Sequence, residues 1–240
     1  MDSDPQLKYR RILLKLSGEV LAGSKSFGID SEELESLCRR IKTVKDLKVE
    51  IALVIGGGNI FRGLNASKNG MDRVNADQMG MLATIINSIA LQEKFEKLGV
   101  PARALSAIPV GGFLETYSRQ LAEKYLAEGK LVILAAGTGN PFFSTDSAAA
   151  LRAGELGADV ILKATKVDGV FSDDPVKCPD ARHYPELEYL DLVRDNLKVM
   201  DLTAVTLCRD NGIPIIVFDM NRPDNLKKAV LGEPVGTIIS

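Results

Sequence analysis

The strongest constraint on the fold is a series of short apolar runs that alternate with longer amphipathic segments. Runs rich in Ile, Val and Leu, which predict strands, span 11–16, 49–55, 130–137, 158–165 and 213–219. Continuous apolar strands are typical of a sheet that is buried on both faces, and intervening helices are typical of parallel connections. The pattern therefore predicts an α/β fold in which helices cover both faces of a mostly parallel sheet.

Helical periodicity and helix-ending glycines predict the helices. We expect them over 31–47, 76–99, 115–129, 147–157, 203–212 and 222–232, with extended pieces at 100–105 and 107–110 and a last strand at 236–240. Asp30 or Ser31 is a suitable N-cap for the first helix. Because no repeat, low-complexity tract or linker interrupts the pattern, we expect one domain over 1–240, with residues 1–8 as a flexible tail.

Composition argues against several function classes. The formal net charge of -2 gives no general reason to expect nucleic-acid binding, and tryptophan is absent. No run of about 18 apolar residues predicts a membrane span, and the first residues lack the apolar core of a signal peptide. Three widely spaced cysteines (Cys38, Cys178 and Cys208) favour a reducing cytoplasm over a disulfide framework or a zinc site. The single histidine, His183, lies in a polar stretch, which argues against hydrolysis by a histidine-activated nucleophile.

Candidate binding residues follow the first two strands, at the sheet edge where α/β folds bind ligands. Lys15 lies near the end of the first strand, and Ser17-Gly18 comes directly after it. The second strand ends in Gly56-Gly57-Gly58, with Arg62 beyond. Adjacent glycine amides can approach an anion closely, and arginine can bind phosphate or carboxylate. The stretch matches neither a P-loop nor G-x-G-x-x-G, so a flexible turn with a surface arginine is the alternative.

The third strand leads into a predicted helix start. Asn140-Pro141 predicts a turn, and Ser144, Thr145 and Asp146 are each suitable caps for the helix that follows. The first N–H groups of such a helix are open to an anion. An aspartate at this place could hold Mg²⁺ or orient a lysine, or it could be an ordinary cap.

The fourth strand contains a lysine among apolar residues. An ammonium group at Lys163 is costly to bury unless an anion pairs with it. Beyond the strand, Asp168-Gly169 predicts a turn, and Phe171, Asp173 and Asp174 supply one aromatic ring and two carboxylates. A solvated acidic loop is the alternative interpretation of this segment.

Together these groups are what phosphoryl transfer requires. Its catalysis consists largely of positioning and charge neutralisation, which lysines, an arginine, glycine amides and a helix N-terminus can supply. A phosphate acceptor, with a second pKa of about 6, is already ionised near neutral pH. Such a reaction needs no general base, in agreement with a chain that contains one histidine.

Several long motifs resemble one family. The segments KLSGE, VIGGGNIFRG, ADQMGMLAT, SAIP, GTGNPFFSTDSAA, LKATKVDGVFSDDP and KVMDLTA closely resemble those of the bacterial uridylate kinases, of the amino acid kinase superfamily. The resemblance implies a three-layer α/β/α sandwich around a mostly parallel sheet. It also implies transfer of a phosphoryl group from ATP to UMP, giving ADP and UDP, with Mg²⁺, in pyrimidine nucleotide biosynthesis.

The resemblance also implies roles for individual residues. Lys15 and Lys163 are expected to carry the charges that follow the phosphoryl group, and Asp146 and Asp201 to orient them, although Asp201 could instead be an ordinary N-cap of the helix that follows. The expected ATP site comprises Lys15, Leu16, Ser17, Gly18, Gly58, Arg62, Thr165, Phe171 and Asp174. The expected UMP site comprises Gly57, Asp77, Thr138, Gly139, Asn140, Pro141, Phe142, Phe143, Ser144 and Thr145. Mg²⁺ is expected on the ATP phosphates, without direct side-chain ligands.

Regulation and assembly are further implications of the resemblance. The family is typically a cytoplasmic homohexamer, inhibited by UTP and in many members activated by GTP. The expected GTP-responsive residues are Gly23, Ser24, Lys25, Ser26, Phe27, Gly28, Arg103 and Lys130. No membrane or nucleic-acid partner is expected.

Two other functions compete with this interpretation. A superfamily kinase of a small carboxylate, such as glutamate or carbamate, would share most motifs, but Asp77 suits ribose hydroxyls and opposes a carboxylate substrate. A nucleotide-binding regulator without catalysis could share the fold, but Lys15, Lys163 and Asp146 argue against it.

Overall fold

The five long apolar runs form strands of one sheet, as predicted. The computed structural model describes residues 7–63, 70–195, 197 and 199–240. Its strands are β1 (Arg11–Leu16), β2 (Glu50–Ile55), β3 (Ala102–Ser106), β4 (Glu115–Thr116), β5 (Leu131–Ala135), β6 (Val160–Thr165), β7 (Val170–Phe171), β8 (His183–Tyr184), β9 (Glu186–Leu187), β10 (Ile215–Asp219) and β11 (Thr237–Ile239). Nine form one sheet in the order β4-β3-β5-β2-β1-β6-β10-β11-β9, and β7 pairs with β8 separately.

Helices pack on both faces of this sheet. They are α1 (Ser31–Lys45), α2 (Arg73–Lys97), α3 (Arg119–Ala127), α4 (Thr145–Leu156), α5 (Tyr189–Arg194), α6 (Leu202–Asp210) and α7 (Asn225–Leu231), with a 3₁₀ helix at Gly18–Leu21. One apolar layer joins α1, α2 and α7 to one sheet face, and the other joins α3, α4, α5 and α6 to the opposite face. The structure therefore confirms the three-layer α/β/α architecture.

The central strands are parallel, as predicted. β1 pairs with β2 on one side and with β6 on the other, both parallel, and β10 continues the parallel pairing beyond β6. Within the described part of the large sheet, the pair β10–β11 is antiparallel. The chain passes from β1 to one side of the sheet and later returns as β6 to the other side. Such a reversal of strand order opens a crevice at the carboxyl ends of the strands.

Several predicted boundaries are wrong by a few residues, for local reasons. The helix expected from residue 115 begins at Arg119, because Ser118 caps it and Glu115–Thr116 pairs with β3 as an edge strand. The helix expected from residue 76 begins at Arg73, because the side chain of Asp72 accepts the N–H of Asn75. The short strands β7, β8 and β9 were not predicted, since two-residue strands carry no detectable periodicity. The short helix α5 was not predicted either.

The predicted N-terminal tail lies mostly outside the described residues, which begin at Leu7. Lys8 and Tyr9 both donate their backbone N–H groups to the carbonyl of Val230 at the end of α7. The assignment of 1–240 to one domain stays a prediction.

Candidate active site

Two lysines from neighbouring strands share one aspartate at the carboxyl edge of the sheet. Lys15 of β1 and Lys163 of β6 are direct partners in the parallel register. Asp146, in the first turn of α4, lies 2.6 Å from each ammonium group through a different carboxylate oxygen. The three side chains are 11%, 9% and 15% exposed for Lys15, Lys163 and Asp146. Two cations and one anion therefore form a largely buried group with a net positive charge.

Burial and neighbouring charge set the protonation of this group. Burial lowers the pKa of Lys163 to about 8, and the charge of Lys15 adds to the effect while Asp146 opposes it. Burial alone would raise the pKa of Asp146, but the two lysine charges and their hydrogen bonds outweigh it and hold that pKa below its usual value. Asp146 is thus ionised at neutral pH, and Lys163 is the group that loses its charge under mildly alkaline conditions.

The glycine turn after β2 is shaped by close contact with α2. A Cβ on Gly57 would lie 2.7 Å from the Ala83 Cβ and 2.9 Å from the Gly80 carbonyl, so only glycine fits. A Cβ on Gly58 would meet nothing within 4 Å. Among the described residues, no acceptor takes the amide N–H groups of Gly57 and Gly58. These two amides are therefore available to an anion, in the manner of a backbone nest.

The N-terminus of α4 is held by two side chains. The Ser144 hydroxyl accepts the N–H groups of Asp146 and Ser147 at 3.0 and 3.1 Å. Asp201 accepts hydrogen bonds from the hydroxyls of Ser144 and Ser147 and from the N–H of Ala204, which it caps at the start of α6. Within the described residues Asp201 makes no ion pair with a lysine. It orients the start of α4 and caps α6, and its expected role in orienting the lysines stays a prediction.

A cleft of about 610 Å³ opens between α2 and the loop before α4. Asp77 of α2 faces it, forms an ion pair with Arg73 at 2.8 Å and accepts the N–H of Phe142 at 2.7 Å. We call this space the first cleft. It brings together the following predicted residues: Gly57, Gly58, Arg62, Asp77, Thr138, Asn140, Phe142, Phe143, Ser144, Thr145 and Asp201.

A second cleft, of about 590 Å³, lies beyond the end of β6. Thr165, Phe171 and Asp174 line it, together with apolar side chains that include Val170 and Val199. The Phe171 ring packs on His183 of β8 with centroids 5.0 Å apart, so the β7–β8 hairpin supports one wall. Each cleft has the volume typical of small-ligand sites.

Some predicted site residues lie elsewhere than expected. Gly58 and Arg62, expected on the ATP side, line the first cleft, and Arg62 forms an ion pair with Glu19 at 2.7 Å. The Leu16 side chain is fully buried, so Leu16 cannot contact a ligand through it. The Leu16 carbonyl accepts the N–H of Gly56. Four more, namely Ser17, Gly18, Gly139 and Pro141, flank the two clefts without lining them.

Sequence analysis missed five polar residues of the first cleft, namely Glu19, Arg73, Thr84, Ser147 and Thr203. Glu19 pairs with Arg62, Arg73 pairs with Asp77, and the Thr84 hydroxyl accepts the N–H of Ala136 at 2.8 Å. Arg73 precedes Asp77 by four residues on a helix, which is a signal that could have been used. Glu19 and Thr84 carry no comparable signal, because their partners are distant in sequence.

The residues expected to respond to GTP do not form one site within a chain. The segment Gly23–Gly28 follows the carboxyl end of β1, and its last N–H donates to the carbonyl of Asn59. Arg103 and Lys130 lie at the amino ends of β3 and β5, where they pair with Glu96 and Glu128. The two groups thus lie at opposite ends of the parallel strands, and their response to GTP stays a prediction.

Comparisons with known proteins agree with one another. Residues 10–219 match the model of the amino acid kinase family. Uridylate kinase of Legionella pneumophila strain Paris is 54% identical over 238 residues, which is 99% of this chain and 96% of that protein. The crystal structure of UMP kinase from Bacillus anthracis has a TM-score of 0.93 at 42% identity, covering 97% of this chain and 96% of that one. UMP kinase from Ureaplasma parvum has a TM-score of 0.90 at 37% identity, covering 97% and 99%.

Removal of the shared carboxylate should destabilise the fold in a pH-dependent way. Asp146→Asn leaves two buried ammonium groups without their anion, which we expect to cost about 3 kcal/mol of unfolding free energy at pH 7. Without the carboxylate, the folded-state pKa of Lys163 falls further below its unfolded value, so the unfolded chain binds more protons. The deficit relative to wild type should therefore narrow as the pH rises to about 8, where folded wild type also loses this proton, and should stay level above that, as measured by urea unfolding.

Glu93→Gln is the matched control, because Glu93 pairs with Lys97 on the surface with both side chains about two-thirds exposed. It should change stability by less than about 1 kcal/mol. A deficit in Asp146→Asn that stays constant from pH 7 to pH 10 would contradict the shared-charge interpretation.

Proposed function

The chain belongs to the amino acid kinase family, and we propose that it is a UMP kinase, which transfers the γ-phosphoryl group of ATP to UMP and yields ADP and UDP. The observation that supports this most directly is the net positive group formed by Lys15, Lys163 and Asp146 at the carboxyl edge of the sheet. The sequence neighbours of Asp146 line the first cleft, and Thr165, two residues beyond Lys163, lines the second. The product UDP enters pyrimidine nucleotide biosynthesis. The relatives named uridylate kinase and UMP kinase match almost the whole chain.

In the proposed reaction the phosphoryl group moves along the line between the clefts. Lys15 and Lys163 neutralise the charge on its oxygens, while Asp146 keeps both ammonium groups at fixed positions. The amides of Gly57 and Gly58 donate to phosphate oxygens, and the N-terminus of α4 adds further donors. The UMP phosphate attacks as an anion and needs no base, so catalysis consists of positioning and charge stabilisation.

The two nucleotides are assigned to the two clefts by their lining. In the first cleft, the Asp77 carboxylate accepts hydrogen bonds from the ribose hydroxyls of UMP, and the loop Thr138–Thr145 surrounds the uracil and phosphate. In the second cleft, Phe171 lies against adenine, with Thr165 and Asp174 beside it. Arg62, which lines the first cleft, would exchange its contact with Glu19 for phosphate.

Phosphoryl transfer of this kind generally uses a divalent cation, and we propose Mg²⁺ bound with ATP. The carboxylates nearest the lysines fit direct ligation poorly, because Asp146 is shared by two ammonium groups and Asp201 accepts from two hydroxyls and one N–H. Magnesium in such sites is held largely by substrate phosphates. The cation would supply charge neutralisation, and the protein residues would supply orientation.

The function is tested by ADP release with four acceptors in parallel: UMP, CMP, glutamate and carbamate. We expect turnover with UMP to exceed that with either carboxylate acceptor by orders of magnitude. Turnover with glutamate or carbamate but not UMP would replace the proposal with a small-carboxylate kinase. Nucleotide binding without turnover of any acceptor would favour a regulatory protein.

Asp77→Asn should weaken UMP binding selectively. The amide keeps the shape of Asp77 and an acceptor for the Phe142 N–H, but it loses the charge that strengthens hydrogen bonds from ribose hydroxyls. We expect the KM for UMP to rise about tenfold while the KM for ATP changes less than about threefold. Arg73→Gln is the control, because it breaks the ion pair with Asp77 and leaves the carboxylate in place. Equal changes in both KM values would contradict the assignment.

The pH profile should report Lys163 on its alkaline side. In free enzyme, kcat/KM for ATP should fall above about pH 8 as Lys163 loses its proton. Bound phosphates favour the charged ammonium and raise its pKa, so kcat should decline at higher pH than kcat/KM does. Below about pH 6, protonation of the UMP phosphate should lower the rate.

Lys163→Arg keeps a positive charge at all these pH values, so its alkaline decline should disappear even where its rate is lower. Lys97→Met, a change at an exposed lysine of α2, should leave the profile unchanged. A wild-type kcat/KM that is flat to pH 9.5 would contradict the role given to Lys163.

We further propose self-association to a homohexamer, with UTP as inhibitor and GTP as activator. Along α2, Met79, Leu82, Ile86 and Ile89 follow one another at spacings of three and four residues and are each 41–50% exposed. An apolar stripe of this kind is typical of a subunit contact. The regulators are proposed from the family resemblance, and GTP would need residues from more than one chain.

Among the described residues, no helical segment combines the length and the hydrophobicity that a membrane-spanning helix needs.

Sedimentation equilibrium tests the assembly. Ile86→Lys should lower the molar mass of the assembly, because it places a charge in the centre of the stripe. Leu190→Lys is the control, since Leu190 is 57% exposed on α5, outside the stripe. Equal behaviour of the two variants would exclude α2 as the contact.

A further inference from the structure

A pair of buried asparagines lies directly behind the glycine turn. Asn59 follows the turn, Asn87 lies in α2, and their side chains are almost inaccessible to solvent. Each amide donates to the oxygen of the other, at 3.0 Å from Asn59 and 2.8 Å from Asn87. The result is a reciprocal amide pair that joins the turn to α2.

The second N–H of each amide donates to the backbone of a site segment. Asn87 donates to the Gly56 carbonyl at 2.8 Å, and Asn59 donates to the Gly28 carbonyl at 2.9 Å. A Cβ on Gly18 would collide with Asn59 Oδ1 and the Gly56 carbonyl, so the loop after β1 also packs on this pair. The amide pair therefore contacts the chain segments that follow both β1 and β2.

Packing alone does not require two asparagines here. Replacing two hydrogen-bonded partners by apolar groups of the same shape is often nearly neutral for stability. A buried polar pair whose hydrogen bonds are all satisfied instead fixes the orientation of the groups that it binds. Any other orientation would leave a buried donor or acceptor without a partner. The direction fixed here is that of the Gly56 carbonyl, and hence of the next two peptide units.

We propose that Asn59 and Asn87 are positioning residues for phosphoryl transfer, which hold the Gly56 carbonyl so that the amides of Gly57 and Gly58 face the transferring group. The inference rests on the proposed function of the glycine turn. Both asparagines are almost inaccessible to solvent and use their amides on each other and on backbone carbonyls, so each acts through the backbone. Small errors in the position of such groups are costly, since a displacement of about 1 Å can lower a rate about a hundredfold.

Helix α2 offers a matched control. Ser88 is as buried as Asn87 and is its immediate neighbour, but its hydroxyl donates to the Thr84 carbonyl of the same helix. Ser88→Ala therefore removes a buried hydrogen bond without releasing the glycine turn. Comparison of Asn87→Ala with Ser88→Ala separates the position of the turn from the stability of the helix.

The experiment measures kcat with both nucleotides saturating, equilibrium UMP binding, and hydrogen exchange of peptides that cover residues 54–62. For Asn87→Ala and Asn59→Ala we expect kcat at saturating UMP and ATP to fall about tenfold to a hundredfold. The KM values for both nucleotides should change less than about threefold. Ser88→Ala should stay within about twofold of wild type. The double variant should be no slower than the slower single variant, because each change alone breaks the pair.

Exchange at 54–62 should be faster in Asn87→Ala than in Ser88→Ala. Should Asn87→Ala fail to fold, Asn87→Leu keeps the branched shape without adding a charge, loses both donated bonds and should show the same loss of kcat. The proposal is overturned if kcat at saturating nucleotides and the rate of hydrogen exchange at residues 54–62 are the same in the asparagine variants as in Ser88→Ala. Absence of UMP turnover in wild type would instead overturn the proposed function, and the exchange comparison would still decide whether the pair holds the turn.

Discussion

The sharing of Asp146 by Lys15 and Lys163 is the interaction on which the rest of the site depends. Parallel pairing of β1 with β6 places two ammonium groups side by side, where they would repel each other and resist burial. The carboxylate reaches both only because α4 begins at Thr145, which in turn requires Ser144 as its cap. Asp201 holds that cap from the start of α6, so the C-terminal third of the chain helps to place charges that lie on strands formed far earlier in the sequence.

Helix α2 connects features that would otherwise be independent. Its first turns carry Asp77 into the first cleft, and its buried polar side chains hold the segments after two strands: Thr84 binds the N–H of Ala136 and Asn87 binds the carbonyl of Gly56. Its outer side presents the apolar stripe proposed as a subunit contact. A rotation or shift of α2 on assembly would move two backbone segments of the first cleft together, which gives a physical route by which the state of assembly could alter activity.

Sequence patterns predicted the parts of this structure that depend on burial or on local backbone chemistry. The five long apolar strands and the cap at Asp30, one of two candidates, follow from such local rules, and the structure confirms them. Prediction was poor where partners are distant in sequence. Three features depend on how the chain returns to the same edge of the sheet. They are the contact of Asp201 with α4, the amide pair of Asn59 and Asn87, and the β7–β8 hairpin that contains Phe171. The placement of Arg62 in the first cleft has the same cause.

Backbone and side-chain donors have different consequences in such a site. The amides of Gly57 and Gly58 have no charge to lose, so their contribution is independent of pH and depends only on the position of the turn. Lys163 supplies a full charge, but burial lowers its pKa and makes that charge sensitive to pH. Asp146 limits this effect because its carboxylate favours the protonated form of Lys163. The site thus combines donors that must be held in place with donors that must be kept charged, and two buried features, the amide pair and the shared carboxylate, meet these separate requirements.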